Sequence, residues 1–262
     1  MTGRYLPGFL ILLATGVALG FARPAAAQAS NIDVGTLGGI LGGMLGESTS
    51  LSGHIIQGIV VLTVLSVAPG LLIMVTSFTR IVVVLSLLRS ALGLQQSPPN
   101  MVMISLAMFL TIHIMAPVFD SAWQDGLRPL LNEQVTQEQG VERIIEPFRA
   151  FMSSHVRDKD LSAFASFSQR PLPPPDSATP PDLRTLIPAF LLSELRRAFE
   201  IGFLLFLPFL VIDMVVAAVL MAMGMMMLPP AMIALPFKII FFVLTDGWFL
   251  IAGSLIRSYG GA

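Results

Sequence analysis

The sequence predicts an all-α membrane protein built from kinked helical hairpins, with a partly helical polar region between them. Three observations lead there. Only 12% of the residues are charged and 55% are hydrophobic, with a mean hydropathy of +0.81, whereas soluble domains carry about 25% charged residues. Four apolar stretches each meet the roughly 20 residues that span a bilayer core, the second only narrowly. Alternation of apolar and polar residues at period two is nowhere sustained, so no strand is expected.

Taken in order, the chain opens with Arg4 as a short positive region, an apolar run over 6–21, and the small-residue segment Ala25-Ala26-Ala27-Gln28-Ala29. That pattern predicts a signal peptide over 1–29, cut after Ala27 or Ala29, with an uncleaved anchor helix as the alternative. A glycine- and serine-rich tether over 30–54 follows. A first hairpin is expected over 55–119. Its apolar stretches are 55–78, kinked at Pro69-Gly70, and 101–119, with the loop 80–100 between them. The region 120–185 is polar, with a helical pattern over 142–167 carried by Ile144, Ile145, Phe148, Phe151 and Met152. The prolines of 171–175 and 180–181 cannot sit inside a helix and predict an extended loop. A second hairpin over 186–262 holds the stretches 201–227 and 231–256, joined by a methionine-rich loop at 221–230.

Orientation follows from the leader and from loop charge. The loop 80–100 holds Arg80 and Arg89 and no acid, so it is expected on the cytoplasmic side. The region 120–185 then falls in the periplasm, since long loops escape the charge rule. The methionine-rich loop returns to the cytoplasmic side and the C-terminus ends periplasmic.

Composition also excludes function classes. A formal net charge of −1 offers no basic footprint for nucleic acid. The absence of cysteine removes disulfides, thiol catalysis and thiolate metal sites. Neither a phosphate-binding G-x-x-x-x-G-K-[ST] loop nor an H-E-x-x-H pair occurs, and His54, His113 and His155 are scattered. No enzyme activity, metal or cofactor is expected.

Two features carry the functional reading. Charge within apolar stretches is expensive, roughly 2.5–3.5 kcal/mol per central residue, so it faces a partner or water. The cluster Glu194, Arg196, Arg197 and Glu200 at the start of the third stretch has spacings that allow pairing on one helix, or else forms a solvated helix end. Lys238 has no acid within helical pairing distance and needs a carboxylate from another element. Glu194, Glu200 and Asp213 are available; an intersubunit or interhelical bond to Glu194 is favoured, and a lysine snorkelling to the interface is the alternative. The second feature is sulfur. Five methionines fall within residues 221–227, followed by Leu228-Pro229-Pro230. Flexible, polarizable side chains such as Met225, Met226 and Met227 could close a pore around varied cargo while excluding ions, or else mark a lipid-facing helix end.

Several long motifs are similar to those of one family. Residues Met74-Val75-Thr76-Ser77-Phe78-Thr79-Arg80-Ile81, Leu88-Arg89-Ser90-Ala91-Leu92-Gly93, Pro98-Pro99-Asn100 and Leu186-Ile187-Pro188-Ala189-Phe190 belong to the match. So do Ser193-Glu194-Leu195, Phe199-Glu200-Ile201-Gly202-Phe203, the whole run 219–230, Ala234-Leu235-Pro236-Phe237-Lys238 and Asp246-Gly247-Trp248. From residue 55 onward the chain resembles the FliP family of flagellar export-gate proteins, excluding the leader, the tether and the proline-rich loop. The resemblance implies a homo-pentameric ring that assembles with FliR and FliQ, and with FlhB and FlhA, into a conical helical gate of the flagellar basal body in the bacterial inner membrane. Unfolded flagellar substrates pass through such a gate. It implies further that Met225, Met226 and Met227 form a gasket and that Glu194 and Lys238 bridge neighbouring subunits. Phe151 and Phe164 match the family's subunit-contact phenylalanines. In assembled gates of this kind the helices are partly lifted out of the bilayer, which Pro69, Pro117, Pro208 and Pro236 suit. Injectisome relatives share the motifs, and the leader favours the flagellar branch. The competing classes are an ion-coupled small-solute transporter carrying protons on Asp213 and Glu200, and an intramembrane hydrolase for which no motif exists.

Overall fold

The computed structural model describes residues 58–59, 62–63, 66–67, 70–168, 181–225 and 227–260. The chain divides into two units, Met1–Leu72 and Ile73–Ala262. In the first, each described residue is helical. The expected leader and tether, Pro69 in the first apolar stretch, the prolines of 171–175 and Met226 lie outside the described residues.

In the second unit the described residues form helices without strands, as the sequence predicts. Helix α1 (Phe78–Ala91) occupies the centre. Its three consecutive valines are poor helix formers in isolation, so burial must hold the helix. Ile81, Val84, Leu85 and Leu88 are all enclosed, against Met103, Ala107, Ala198 and Leu255 among others. The segment 80–100, expected as a loop, is therefore helix as far as Ala91, and its buried face is apolar apart from Arg80. The helix stops at Gly93, whose φ of +77° lets its N–H reach the Ser90 carbonyl at 3.0 Å while Leu94 N–H reaches that of Arg89 at 3.2 Å. Arg89 then donates to Asn100 Oδ1 at 2.5 Å and ties the connection to the next helix.

Helix α2 (Asn100–Ser121) runs through Pro117 without stopping and continues by a π-helical turn, Ala122–Leu127, into a short helix, Arg128–Leu131. The whole run is 32 residues. At the π-turn, Gly126 meets α3 (Gln137–His155) so closely that a Cβ would lie 2.7 Å from the Ile144 backbone nitrogen. Thr136 starts α3 by accepting from Gln139 N–H at 3.4 Å. A break at Val156 and Arg157 separates α3 from α4 (Asp158–Phe167), dividing the helical pattern expected over 142–167.

Helix α5 (Leu183–Ala222) is 40 residues, about 60 Å long. Asp182 caps it by accepting from Arg184 N–H at 3.2 Å. The charged cluster around Glu194 thus lies inside a continuous helix rather than at a helix start. Helices α6 (Pro230–Leu244) and α7 (Gly247–Arg257) correspond to the fourth apolar stretch. Pro236, one of the prolines that suit the family's broken hairpins, is not where the chain bends. It turns by 62° after Leu244, where Asp246 adopts a left-handed φ of +49°, a region aspartate tolerates better than most residues. Gly247 beside it has no room for a side chain, because a Cβ would approach the Phe242 ring to 2.2 Å.

Two apolar clusters result. One surrounds α1; the other joins Met115 of α2, Phe151 and Met152 of α3, and Leu186 and Phe190 of α5. The runs Asn100–Leu131 and Leu183–Ala222 are long and apolar enough to cross a membrane, and α6 with α7 makes a third crossing if the bent pair counts as one. Because the Ile144 backbone faces Gly126 together with the base of its side chain, Gly126→Ala must push α3 away from the π-turn. We expect a loss of roughly 1–3 kcal/mol, read as a lower Tm of the detergent-solubilised protein. An unchanged Tm would mean that this contact does not fix α3.

Candidate functional site

Arg80 lies in the first turn of α1, one residue before the fully buried Ile81. It shares a face with Val84, Leu88 and Ala91, so helical geometry carries its long side chain inward. There it meets Glu194 of α5; the two residues are 1% and 0% exposed. Arg80 Nε donates to Glu194 Oε2 at 2.8 Å and Nη2 donates to Oε1, forming a bidentate fork. The remaining guanidinium nitrogen, Nη1, donates to Ser258 Oγ at 3.0 Å. The Tyr259 hydroxyl donates to Glu194 Oε2, and its ring lies 3.8 Å from the guanidinium carbon. Burial, then the adjacent Glu194 carboxylate, pushes the Tyr259 phenol up, so it stays a proton donor. Phe151 stacks on the same ring at 5.8 Å, and His155 lies 5.1 Å away. Residues from α1, α3, α5 and the segment after α7 therefore converge on one buried ion pair.

The neighbouring residue on α5, Ser193, is fully buried and faces α4. Its Oγ accepts from Arg157 N–H at 3.1 Å and donates to Asp160 Oδ2 at 2.7 Å. Arg157 also grips Asp160 with Nε and Nη2, both at 2.9 Å. That hydrogen-bonded fork holds the Asp160 carboxyl below the usual carboxylate range, against the opposing effect of burial and with help from Ser193.

Lys238 finds its carboxylate on another element, as expected, but within the chain that carboxylate is not Glu194. Its Nζ donates to Asp213 Oδ2 at 2.7 Å and to the Ala91 carbonyl at 3.1 Å. The second bond satisfies a carbonyl at the C-terminal end of α1, where a cation is favoured by the helix dipole. Asp213 Oδ1 is buried without a hydrogen-bond partner among the described residues. Of the pairings allowed by spacing, Arg196–Glu200 forms at 3.0 Å on the surface. Glu194 instead pairs with Arg80.

The methionine-rich turn joins α5 to α6. Gly224, at φ +75°, closes α5: its N–H donates to the Met221 carbonyl at 3.1 Å and Met225 N–H to that of Leu220 at 3.0 Å. Met225 and Met227 stand outward, 42% and 98% exposed. Pro229 and Pro230 begin α6, where a missing N–H is harmless. Phe151 is buried in the core beneath Tyr259 and also meets Phe190 edge-on at 5.9 Å. Phe164, half-buried on α4, packs against the exposed Phe167 at 5.9 Å.

Arg80, Tyr259, Asp160 and Ser193 were not singled out by sequence reasoning. For Arg80 a pointer exists in its spacing to Val84, Leu88 and Ala91. For Tyr259 none does, because its role depends on where the chain end folds back.

The family model described as the FliP family matches residues 61–255. Flagellar biosynthetic protein FliP of Agrobacterium fabrum is 56% identical over 210 residues, covering 80% of this chain and 86% of the relative. The protein of the same name from Caulobacter vibrioides is 56% identical over 215 residues, covering 82% and 80%. That from Bacillus subtilis is 52% identical over 201 residues, covering 77% and 90%.

Two outcomes follow from the polar contacts. Glu194→Ala leaves a buried guanidinium unpaired and should lower stability by about 3–5 kcal/mol, while Arg80→Met with Glu194→Leu recovers much of it. Thermal unfolding in detergent measures both, and equal losses for the single and double variants would remove the pair as a stabiliser. Asp160 has a depressed folded pKa, so its stabilisation is present above the unfolded carboxylate value near 4 and is lost as pH falls through the folded value. Amide exchange across 158–167 should accelerate on that acid side, and Asp160→Asn should flatten the dependence.

Proposed function

The chain belongs to the FliP family, and we propose on that premise that it is a non-enzymatic subunit of the flagellar protein-export gate, required for flagellum assembly. Copies of the chain close into a ring, pentameric by the family resemblance, around a passage for unfolded flagellar proteins. FliR and FliQ complete the gate in the inner membrane, with FlhB and FlhA as further partners. The observation that carries this reading is the methionine turn: a tight, solvent-facing loop of thioethers at the junction of two apolar helices.

The chemistry supports a closure there. Thioether side chains are unbranched and adapt to irregular shapes, so a circle of Met225, Met226 and Met227 can press together when empty and yield around a passing polypeptide. An apolar constriction also dewets, which blocks ions without a charged barrier. The apolar residues Phe203, Leu210, Val211, Met214 and Val215 stand exposed along α5, and neighbouring subunits or lipid must cover them. Phe164 with Phe167 offers a further apolar contact on the periplasmic side.

A bridge between Glu194 of one subunit and Lys238 of the next demands a rearrangement, because Glu194 is enclosed by Arg80 and Tyr259 in the single chain. Asp213, whose side chain is 40% exposed against 0% for Glu194, is the carboxylate with the shorter path to a neighbour's donor, although its Oδ1 is itself buried. Phe151, lying inward against Tyr259, contributes to such a contact by positioning α3.

Deletion of Met225 to Met227 tests the closure. Vesicles carrying the reconstituted complex should then leak small ions while the ring survives extraction intact. Background conductance from an intact mutant ring would place the closure elsewhere.

A further inference from the structure

We infer that Met225 and Met227 are sites of reversible oxidation by hydroperoxides, which makes the closure redox-sensitive. The inference rests on the reading of this turn as the gate, and adds to it a modification chemistry and a consequence.

Exposure and position outside a helix together mark this turn, in which Met223 is also 67% exposed. Met227 is 98% exposed on a segment outside any helix, and Met225 is 42% exposed just past the end of α5. At the opposite extreme, Met115 is fully enclosed and Met152 is 1% exposed. Met214 is also exposed but sits eight residues before the end of α5, on the apolar length of a helix that can cross a membrane. Among the described residues Met101, Met221 and Met232 are also exposed but lie within helices, whereas the turn between α5 and α6 holds its sulfurs outside any helix. With no cysteine in the chain, no thiol within the protein competes for the peroxide.

The reaction balances simply. A thioether lone pair attacks one oxygen of the hydroperoxide, an S–O bond forms, and the O–O bond breaks. The sulfur loses two electrons, and hydrogen peroxide leaves as water. The product sulfoxide is polar and a strong hydrogen-bond acceptor. An apolar constriction excludes ions because water does not fill it, so sulfoxides at its narrowest point wet the passage. A methionine sulfoxide reductase supplied with a dithiol reverses the change.

The test uses the full-length complex in vesicles, treated with hydrogen peroxide and followed by peptide mass spectrometry and ion flux. Sulfoxide should form at residues 225 and 227 at least about tenfold faster than at Met115 and Met152. Ion leak should rise in step and fall again with reductase. A variant with leucine substitutions, Met225→Leu, Met226→Leu and Met227→Leu, should stay closed and insensitive to peroxide. Equal oxidation rates at exposed and enclosed methionines would overturn the inference, as would full oxidation without leak. If deletion of the three methionines still produces leak, the gate reading survives such a failure. If deletion also leaves conductance at background, both fall together.

Discussion

Helices α1, α3 and α5 and the segment after α7 meet at a pair of opposite charges that are 1% and 0% exposed. Removing Arg80 and Glu194 from solvent is unfavourable by several kcal/mol for each ion, and mutual attraction offsets it only where every remaining donor and acceptor is satisfied. The structure meets that condition with contributions from distant parts of the chain. The carboxylate receives both arms of the guanidinium and the Tyr259 hydroxyl, while the free guanidinium arm goes to Ser258. Satisfaction of one ion pair therefore fixes the depth of α1, the rotation of α5 and the path of the chain after α7 simultaneously. A hydrophobic core alone would tolerate sliding, since apolar contacts are not directional.

The same helix is held a second time at its other end. Lys238 reaches from α6 to the Ala91 carbonyl and to Asp213 on α5. Helix α1 is thus anchored by a charged side chain at each terminus, eleven residues or roughly 16 Å apart. The lower clamp also determines what the methionine turn can do. Asp213 lies nine residues before the end of α5 and Lys238 eight residues after the start of α6, so the hairpin is fixed roughly 12–14 Å from its tip. Beyond the clamp the two helices rely on their caps and on Gly224, and the thioethers face outward. Rigid walls with a compliant tip suit a closure that must yield to cargo and then reseal.

Much of this was readable from residues alone, for physical reasons that can be named. Apolar length and the lack of sustained period-two alternation gave the helical class, α2 and the apolar parts of α5 and α6, but not the first half of α5. The isolation of Lys238 from any acid on its own helix showed that it needs a partner elsewhere, and Asp213 was among the three candidates. Within the chain, the choice of Asp213 for Lys238 was not readable, because it depends on tertiary register, which pairs α5 with α1 above and with α6 below. Arg80 was misplaced for a related reason. Charge near the end of an apolar stretch looks like a loop signal, and only the spacing to Val84, Leu88 and Ala91 reveals an inward face. The bend at Asp246 escaped because proline is the usual suspect for a kink. Here Pro236 continues the helix, and a left-handed aspartate followed by a close-packed glycine ends it.

The division of α5 explains how one helix serves two environments. Its first half is locked among α1, α3 and α4, with Leu186, Phe190, Ser193, Glu194 and Ala198 all enclosed. Its second half turns Phe203, Leu204, Val211, Met214 and Val215 outward, which an isolated chain in water could not sustain. Pro188 and Pro208 lie in the two halves, yet the helix is continuous. A continuous helix about 60 Å long cannot reorient one half without moving the other. The buried ion pair in the first half therefore sets the direction in which the apolar half, and the turn at its end, projects. Weakening the pair would broaden that direction, and a closure made from several copies depends on each copy presenting its tip at the same height.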